Sequence, residues 1–376
     1  MRLGIVGLGL IAQAVHLPNL RDLRETHEVV HVCDLSATLA ARVAAEHGGP
    51  VRHSRDAREV FADPAVDAVL LLTPGDHADL ARAALAAGKH VLAEKPLALT
   101  VAEARELDEL AADRNLVLQV GYMKMYDPII PRARSELAAV GTPRLVRITV
   151  LHPADAPQFA HVRLLRADDA DPVAVAAAAA RRRERAAAAL GDVGEPFCSL
   201  YTDVLHGSVV HELSLLRALF GEPPLTFAHA QIGPGVRPGT ALPEPPQLQA
   251  LGMLGDCQLS LSWNWLPGHP EYVEEIAVFG TEGRLYLRMP GPYLRDARAE
   301  LVVESVRGGE RATTRLVSEH RTGFTHELLA FHASATEGAP VLSTAAGAAY
   351  DTAALQRLTS LLAAAYGVQT RGETTP

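Results

Sequence analysis

A glycine pattern close to the first residue constrains this chain more than any other feature. Arg2–Val6 reads as a short buried strand, and Gly7-Leu8-Gly9-Leu10-Ile11-Ala12 follows it directly and opens a helix running toward Leu20. A G-x-G-x-x-A sequence at a strand-to-helix turn fits a dinucleotide. The first glycine allows the tight turn, the second lets a pyrophosphate approach the backbone, and Ala12 keeps helix and strand close. Amides of the first helical turn, at Leu10 and Ile11, are then available to the phosphates. The motif alone is weak, but a second strand, Glu28–Cys33, ends at Asp34. A carboxylate there accepts hydrogen bonds from the adenosine ribose and repels a 2′-phosphate, so NAD is expected rather than NADP. The alternative for Gly7, Gly9 and Asp34 is an ordinary βαβ turn.

The same rhythm continues. Ala68–Leu72 is a third strand, bounded by Thr73-Pro74-Gly75, and His77–Ala87 has helical spacing and stops at Gly88. His90–Ala93 is a fourth strand, Val101–Arg114 a helix capped by Thr100, and Leu116–Val120 a fifth strand. Alternating strands and helices predict an α/β Rossmann domain over about residues 1–122. Beyond it, Arg144–Leu151, Thr226–Ile232, Cys257–Trp265, Glu274–Phe279, Arg284–Met289, Arg298–Val306 and Ala312–Val317 read as strands with few helices between them. Gly323–Glu337 and Ala345–Ala365 read as closing helices. Residues 123–376 are therefore expected to be an α+β domain with a large, mostly antiparallel or mixed open sheet, serving substrate binding and oligomerisation. An alanine- and arginine-rich stretch at about 171–190 predicts a helical insertion with a basic patch. It is read as a solvated surface helix, with a cover over a site or a subunit contact as the alternative. A disordered tail is expected over about 370–376.

Composition narrows the class. The length of 376 residues fits two domains, and a net charge of −9 argues against a nucleic-acid partner. Three cysteines, Cys33, Cys198 and Cys257, stand far apart without metal-type spacing, so neither a disulfide framework nor a metal site is expected. Glycines interrupt the apolar run that ends at Leu17, and no apolar segment reaches the about 20 residues that span a bilayer. A cytoplasmic protein without membrane contact is expected. Only three of the 35 basic residues are lysine: Lys89, Lys95 and Lys124. Lysine loses its proton when desolvated and arginine effectively does not, so each lysine invites a specific explanation beside chance survival.

The segment Gly88-Lys89-His90-Val91-Leu92-Ala93-Glu94-Lys95-Pro96-Leu97-Ala98 resembles the E-K-P motif of the glucose–fructose oxidoreductase, inositol dehydrogenase and rhizopine-catabolism (Gfo/Idh/MocA) family. Thr73-Pro74 and His77 resemble its nicotinamide loop, and Gly121-Tyr122 with Tyr126-Asp127-Pro128 its interdomain crossing. Ile276–Gly283 resembles its late-sheet motif, and Phe324–Phe331 its E-x-x-x-F closing helix. The resemblance covers nearly the whole chain. It implies a dehydrogenase or reductase of sugars, cyclitols or related carbonyls, a homodimer or homotetramer, and a cis Lys95–Pro96 bond.

Two departures stand out. The loop Thr73-Pro74-Gly75-Asp76-His77 is one residue short, with Gly75 where asparagine is usual. The family's D-x-x-x-H helix is matched at His211, but Gly207 stands where its aspartate is expected and Ser214 where a second one is common. On a regular helix at about 100° per residue, Val209, Leu213, Leu216 and Phe220 share a buried face. His211 then points the opposite way with Gly207, Ser214 and Ala218. Asp203, about 12 Å away along such a helix, cannot replace the missing carboxylate. A satisfied core or surface histidine is the bland alternative for His211.

The expected chemistry is hydride transfer between a substrate carbinol carbon and the nicotinamide, with the protein handling one proton. Lys95, at the carboxyl edge of the sheet, is expected to be the acid–base group, its pKa lowered by desolvation and the cationic nicotinamide. His211 is expected to orient the same oxygen or share the proton. Glu94 is expected to hold local structure or cofactor. Tyr122, Lys124, Tyr126, His152, His206, Asn264 and Trp265 are candidate substrate residues. Trp263 and Trp265 share one face of their strand, where core packing is the plain reading. With Gly207 lacking a charge, Lys95, Lys124 and His211 would make an electropositive pocket and favour an anionic substrate. A non-redox dinucleotide-binding protein and a reductase of a non-sugar carbonyl or imine are the competing readings. The substrate, the direction of reaction and the oligomeric state are not legible.

Overall fold

The computed structural model describes residues 1–233, 235–242, 246–295 and 297–371. The chain forms two compact units. One comprises Met1–Met123, His161–Ala186 and Phe324–Thr352; the other comprises Lys124–Ala160, Ala187–Gly323 and Ala353–Pro376.

The first unit is built on six parallel strands: β1 (Arg2–Val6), β2 (Glu28–Cys33), β3 (Arg52–Ser54), β4 (Ala68–Leu71), β5 (His90–Glu94) and β6 (Leu118–Gly121). Their order is β3-β2-β1-β4-β5-β6. All four residues of β4 are buried, and only the first residue of β5 is not. Such unbroken burial is the pattern of strands covered on both faces. Leu3, Ile5, Leu70 and Leu92 form the core together with Leu328 and Phe331 of the Gly323–Glu337 helix. The strand order reverses between β1 and β4. In open α/β sheets ligands bind at such a switch point, outside the carboxyl ends of the strands. The glycine turn follows β1, and Thr73–His77 follows β4.

The second unit carries eight strands: β7 (Pro143–His152), β8 (Leu225–Ile232), β9 (Gln247–Leu254), β10 (Cys257–Trp265), β11 (Val273–Gly280), β12 (Gly283–Met289), β13 (Glu300–Arg307) and β14 (Glu310–Val317). Their order is β14-β13-β12-β11-β7-β10-β9-β8, antiparallel except for the β7–β10 pair. Along β10, Cys257, Leu259, Leu261 and Trp263 are buried, while Gln258, Ser260, Ser262 and Asn264 face the other way and are less buried. The sheet thus has one core face and one open face.

Several expectations need correction. The parallel sheet has six strands, because Arg52-His53-Ser54 pairs with β2 at the edge. Three polar residues carry no apolar period. Lys95 therefore follows the fifth strand, which ends at Glu94, and not the fourth. Strand β9 was also invisible: Gly252 breaks its pattern, because a Cβ there would strike the backbone of Thr226 on β8. The helices Ala37–His47 and Ala57–Ala62 begin at the caps Ser36 and Asp56. The regular helix expected around His211 is not continuous. Leu200–Val209 winds as a π-helix before Val210–Phe220 becomes α-helical. Every residue from Val209 to Leu219 is buried, so His211 lies on no separate polar face. Of the expected tail, Arg371 is held by its amide to Leu190 O at 2.7 Å, and residues 372–376 lie outside the described residues.

Candidate functional site

The glycine turn has the shape a dinucleotide requires. Gly7 adopts φ +92°, and a Cβ there would sit 2.7 Å from the Leu72 carbonyl carbon and the Thr73 nitrogen. Only glycine fits, because β1 and β4 leave the sheet side by side. A Cβ on Gly9 would meet no protein atom within 4 Å. Open space above Gly9, beside a helical first turn containing Leu10, Ile11 and Ala12, is a cradle for an anion. Asp34 binds this turn from the end of β2. Its Oδ2 accepts from Leu8 N at 2.9 Å and its Oδ1 from Ser36 N at 2.9 Å. Each oxygen keeps a lone pair for a ribose hydroxyl. The residues present therefore fit NAD(P).

The neighbouring loops are fastened through His77, which is buried. Its Nδ1 lies 2.9 Å from Pro96 O and its Nε2 2.9 Å from Thr73 O. Burial lowers its pKa. The neutral ring then donates to one carbonyl at a time, and Thr73-Pro74 is tied to the E-K-P turn through a histidine that is itself enclosed. The Lys95–Pro96 peptide bond is cis. Glu94 is buried, lies 3.0 Å from His16 Nε2, and accepts from Lys95 N at 3.2 Å. Burial pushes its carboxyl up, but the His16 bond and the fields of His16 and Lys95 outweigh that and leave it low. Lys95 is half-buried. Gly121 passes so close that a Cβ would lie 3.0 Å from Glu94 Cα.

In the second unit three of the expected substrate residues meet three that sequence reasoning missed. His152, half-buried, stacks on Trp265 with ring centroids 4.7 Å apart and meets Tyr272 edge-on at 5.2 Å. The Tyr272 hydroxyl donates to Glu274 Oε2, which is also ion-paired with Lys124 Nζ. Glu212 Oε1 lies 4.0 Å from the same ammonium. Burial and the Glu274 charge hold the Glu212 carboxyl well above its usual range, against the pull of Lys124. Lys124 is therefore neither directed to solvent nor a surplus cation, and it adds no net positive charge to an electropositive pocket. Glu274 was detectable: it keeps the inward phase of Ile276 and Val278 along β11. Glu212 interrupts an apolar helix right after His211.

The remaining candidates have other surroundings. Tyr122 is buried in the first unit, and Tyr126 is half-buried in the second. His206 is buried edge-on to Tyr201 at 4.6 Å. Asn264 bonds Ser262 Oγ at 3.0 Å on the face of β10 opposite Trp265. Trp263 is buried and donates to Ser208 Oγ at 2.8 Å. Among the described residues no group of three or more His, Cys, Asp or Glu side chains could hold a metal ion. No described helix is long and apolar enough to cross a membrane.

Residues 1–122 match the family model described as an oxidoreductase family with an NAD-binding Rossmann fold. Inositol 2-dehydrogenase 1 of Saccharopolyspora erythraea is 38% identical over 151 residues, 39% of this chain and 44% of that protein. A scyllo-inositol 2-dehydrogenase (NAD(+)) of Bacillus subtilis is 33% identical over 146 residues, 38% of this chain and 42% of that protein. The chain spans less than half the length of these curated relatives. The fold is matched almost end to end. A UDP-N-acetylglucosamine 3-dehydrogenase from Acidithiobacillus ferrooxidans superposes with a TM-score of 0.70 at 23% identity, over 97% of this chain and 98% of that one. A 3-ketoreductase from Actinomadura kijaniata in complex with NADP and TDP-benzene gives 0.67 at 20% identity, over 94% of each chain. Residues 1–122 thus match the NAD-binding Rossmann domain of the Gfo/Idh/MocA oxidoreductase family.

Proposed function

We propose that this chain is an NAD(H)-dependent oxidoreductase that moves hydride to or from a hydroxyl- or carbonyl-bearing carbon of a sugar or cyclitol. The observation that carries the reading is the open cradle at Gly9 beside Asp34, at the switch point of a β3-β2-β1-β4-β5-β6 sheet. The bound nicotinamide supplies the hydride chemistry. Gly7, Gly9, Leu10, Ile11 and Ala12 hold the pyrophosphate, and Asp34 the adenosine ribose. Thr73, Pro74 and His77 form the loop toward the nicotinamide, with Glu94 bracing Lys95. Lys95 takes the hydroxyl proton in oxidation and returns it in reduction, and His211 orients that oxygen or shares the proton. The residues from 123 onward, apart from 161–186 and 324–352 of the first unit, bind substrate and build the oligomer, a homodimer or homotetramer in the cytoplasm.

The His152, Trp265, Tyr272 and Glu274 grouping supports a polyol. Aromatic faces pack on ring C–H groups, and carboxylates accept from hydroxyls. With Lys124 neutralised by Glu274, a preference for an anionic substrate would rest on Lys95 and His211 alone. Gly207 favours a second reading, dinucleotide binding without redox turnover. NADH fluorescence titration followed by turnover on cyclitols, neutral sugars, uronic acids, sugar nucleotides and non-sugar ketones and imines separates these readings. Failure to bind NADH ends the first. Binding without turnover on any substrate favours the second, and turnover confined to the ketones or imines moves the substrate class. Light scattering in solution tests the oligomer.

A further inference from the structure

Residues 161–186 belong to the first unit and are fastened at three places along its dinucleotide-binding elements. Near the glycine turn, Leu165 N donates to Gln13 Oε1 at 2.7 Å, and the Gln13 amide donates to Leu165 O at 3.1 Å and Leu8 O at 2.7 Å. Near the end of β2, Arg42 donates to Arg166 O at 2.9 Å, and Asp169 reaches Ser36 and Thr38. At the loop after β4, Arg185 is ion-paired with Asp76 and Asp79 and lies 2.9 Å from Glu103. The segment is a strap.

We propose that Asp169 is a cofactor-specificity residue: its carboxylate fills the anion position beside the adenosine ribose that the 2′-phosphate of NADP would need, and so reserves the site for NAD. This rests on the reading of the first unit as a dinucleotide-binding site. Three hydrogen bonds to Asp169 define the position. Ser36 Oγ donates to Asp169 Oδ1 while accepting from Leu39 N at 3.0 Å. Thr38 N and Thr38 Oγ1 both donate to Asp169 Oδ2, at 3.1 and 2.9 Å. These donors open the eleven-residue helix Ala37–His47, whose dipole favours an anion. Ser36 N is itself bonded to Asp34 Oδ1, so the position adjoins the carboxylate assigned to the ribose. A serine, a threonine and a helix terminus next to that acid are the donor set a phosphate uses. Here the chain supplies its own carboxylate to them. The Ser36 and Thr38 hydrogen bonds hold the Asp169 carboxyl well below the usual range, so it is charged at neutral pH. NADP would have to displace it or place a second negative charge beside it and beside Asp34. The Gln13, Arg42 and Arg185 anchors do not involve Asp169, so removing it leaves the strap attached.

Binding of NADH and NADPH is measured by fluorescence titration on the full chain, wild type against Asp169→Ala and Asp169→Asn. NADPH affinity is expected to rise about tenfold or more in both variants, with NADH affinity changed by less than about threefold. NADPH affinity unchanged in both variants, with NADH bound normally, overturns the assignment of Asp169 and leaves the cofactor reading standing. A parallel loss of both dinucleotides also overturns it, because Asp169 would then only hold the strap. If wild type binds neither dinucleotide, both the assignment and the cofactor reading fall.

Discussion

Glu327 is a buried acid with no hydrogen-bond partner on either carboxyl oxygen among the described residues. Burial, and then the charge of Glu94, raise its pKa well above the ordinary carboxyl value. An acid whose folded pKa exceeds its unfolded pKa binds more protons when folded, so stability falls as pH rises between those two values. Glu327→Gln is therefore expected to flatten the fall in melting temperature from about pH 4.5 upward. An unchanged slope would show that another group sets it. Lys124 has the opposite character. It is buried and ion-paired with Glu274, and removing one member of such a pair strands a charge. Lys124→Met is expected to cost about 3–5 kcal/mol in urea unfolding, with much of the loss recovered by adding Glu274→Gln. A loss below about 1 kcal/mol would mean that the pair is loosely held. Lys95→Ala tests the chemistry instead. Turnover should drop about 10²–10⁴-fold, with NADH affinity largely kept. Near-normal turnover would remove Lys95 from proton transfer.

At the scale of an element, the Pro172–Leu190 helix is not merely a solvated arginine-rich surface. Arg181 and Arg183 are exposed, but Arg185 turns inward to Asp76, Asp79 and Glu103 and is half-buried. Charge composition alone could not separate these arginines, because which one meets acids depends on where the Ala78–Ala86 and Val101–Asp113 helices lie. Arg185→Ala should free the strap locally. Losing about 1–2 kcal/mol of local stability speeds tryptic cleavage at Arg181 and Arg183 about 5–30-fold. Identical cleavage rates in variant and wild type would contradict an anchoring role.

For the molecule as a whole, ligand linkage offers a direct test of the cofactor reading. A ligand that binds only the folded state adds about 2.7 kcal/mol at a hundredfold excess over its dissociation constant. NAD at that excess should raise the melting temperature by about 3–4 °C, and NADP at the same concentration by clearly less. No shift with NAD would count against the site at Gly9 and Asp34. Much of the candidate site's geometry was legible in the chain, because Gly7, Gly9, Ala12 and Asp34 shape it through local backbone conformation. A tight turn, a helix start and a strand end are written in adjacent residues. The Rossmann strands followed for the same reason, since buried parallel strands are runs of apolar residues. The chain did not reveal β3 and β9, whose pairing is imposed by neighbouring strands. Nor did it reveal the π-winding of Leu200–Val209, which breaks the fixed angle a helical wheel assumes. The charge state around Lys124 was also hidden, because Glu212 and Glu274 are distant in sequence and reach it only through packing. Asp169 is more than 130 residues from Ser36, and only the folded chain brings them together. Adjacent residues alone specify the turn, the helix start and the strand end of the proposed dinucleotide site. Which charges are matched, and which segment lies against those elements, follows from folding, because charge pairing and burial depend on distances that sequence separation does not encode.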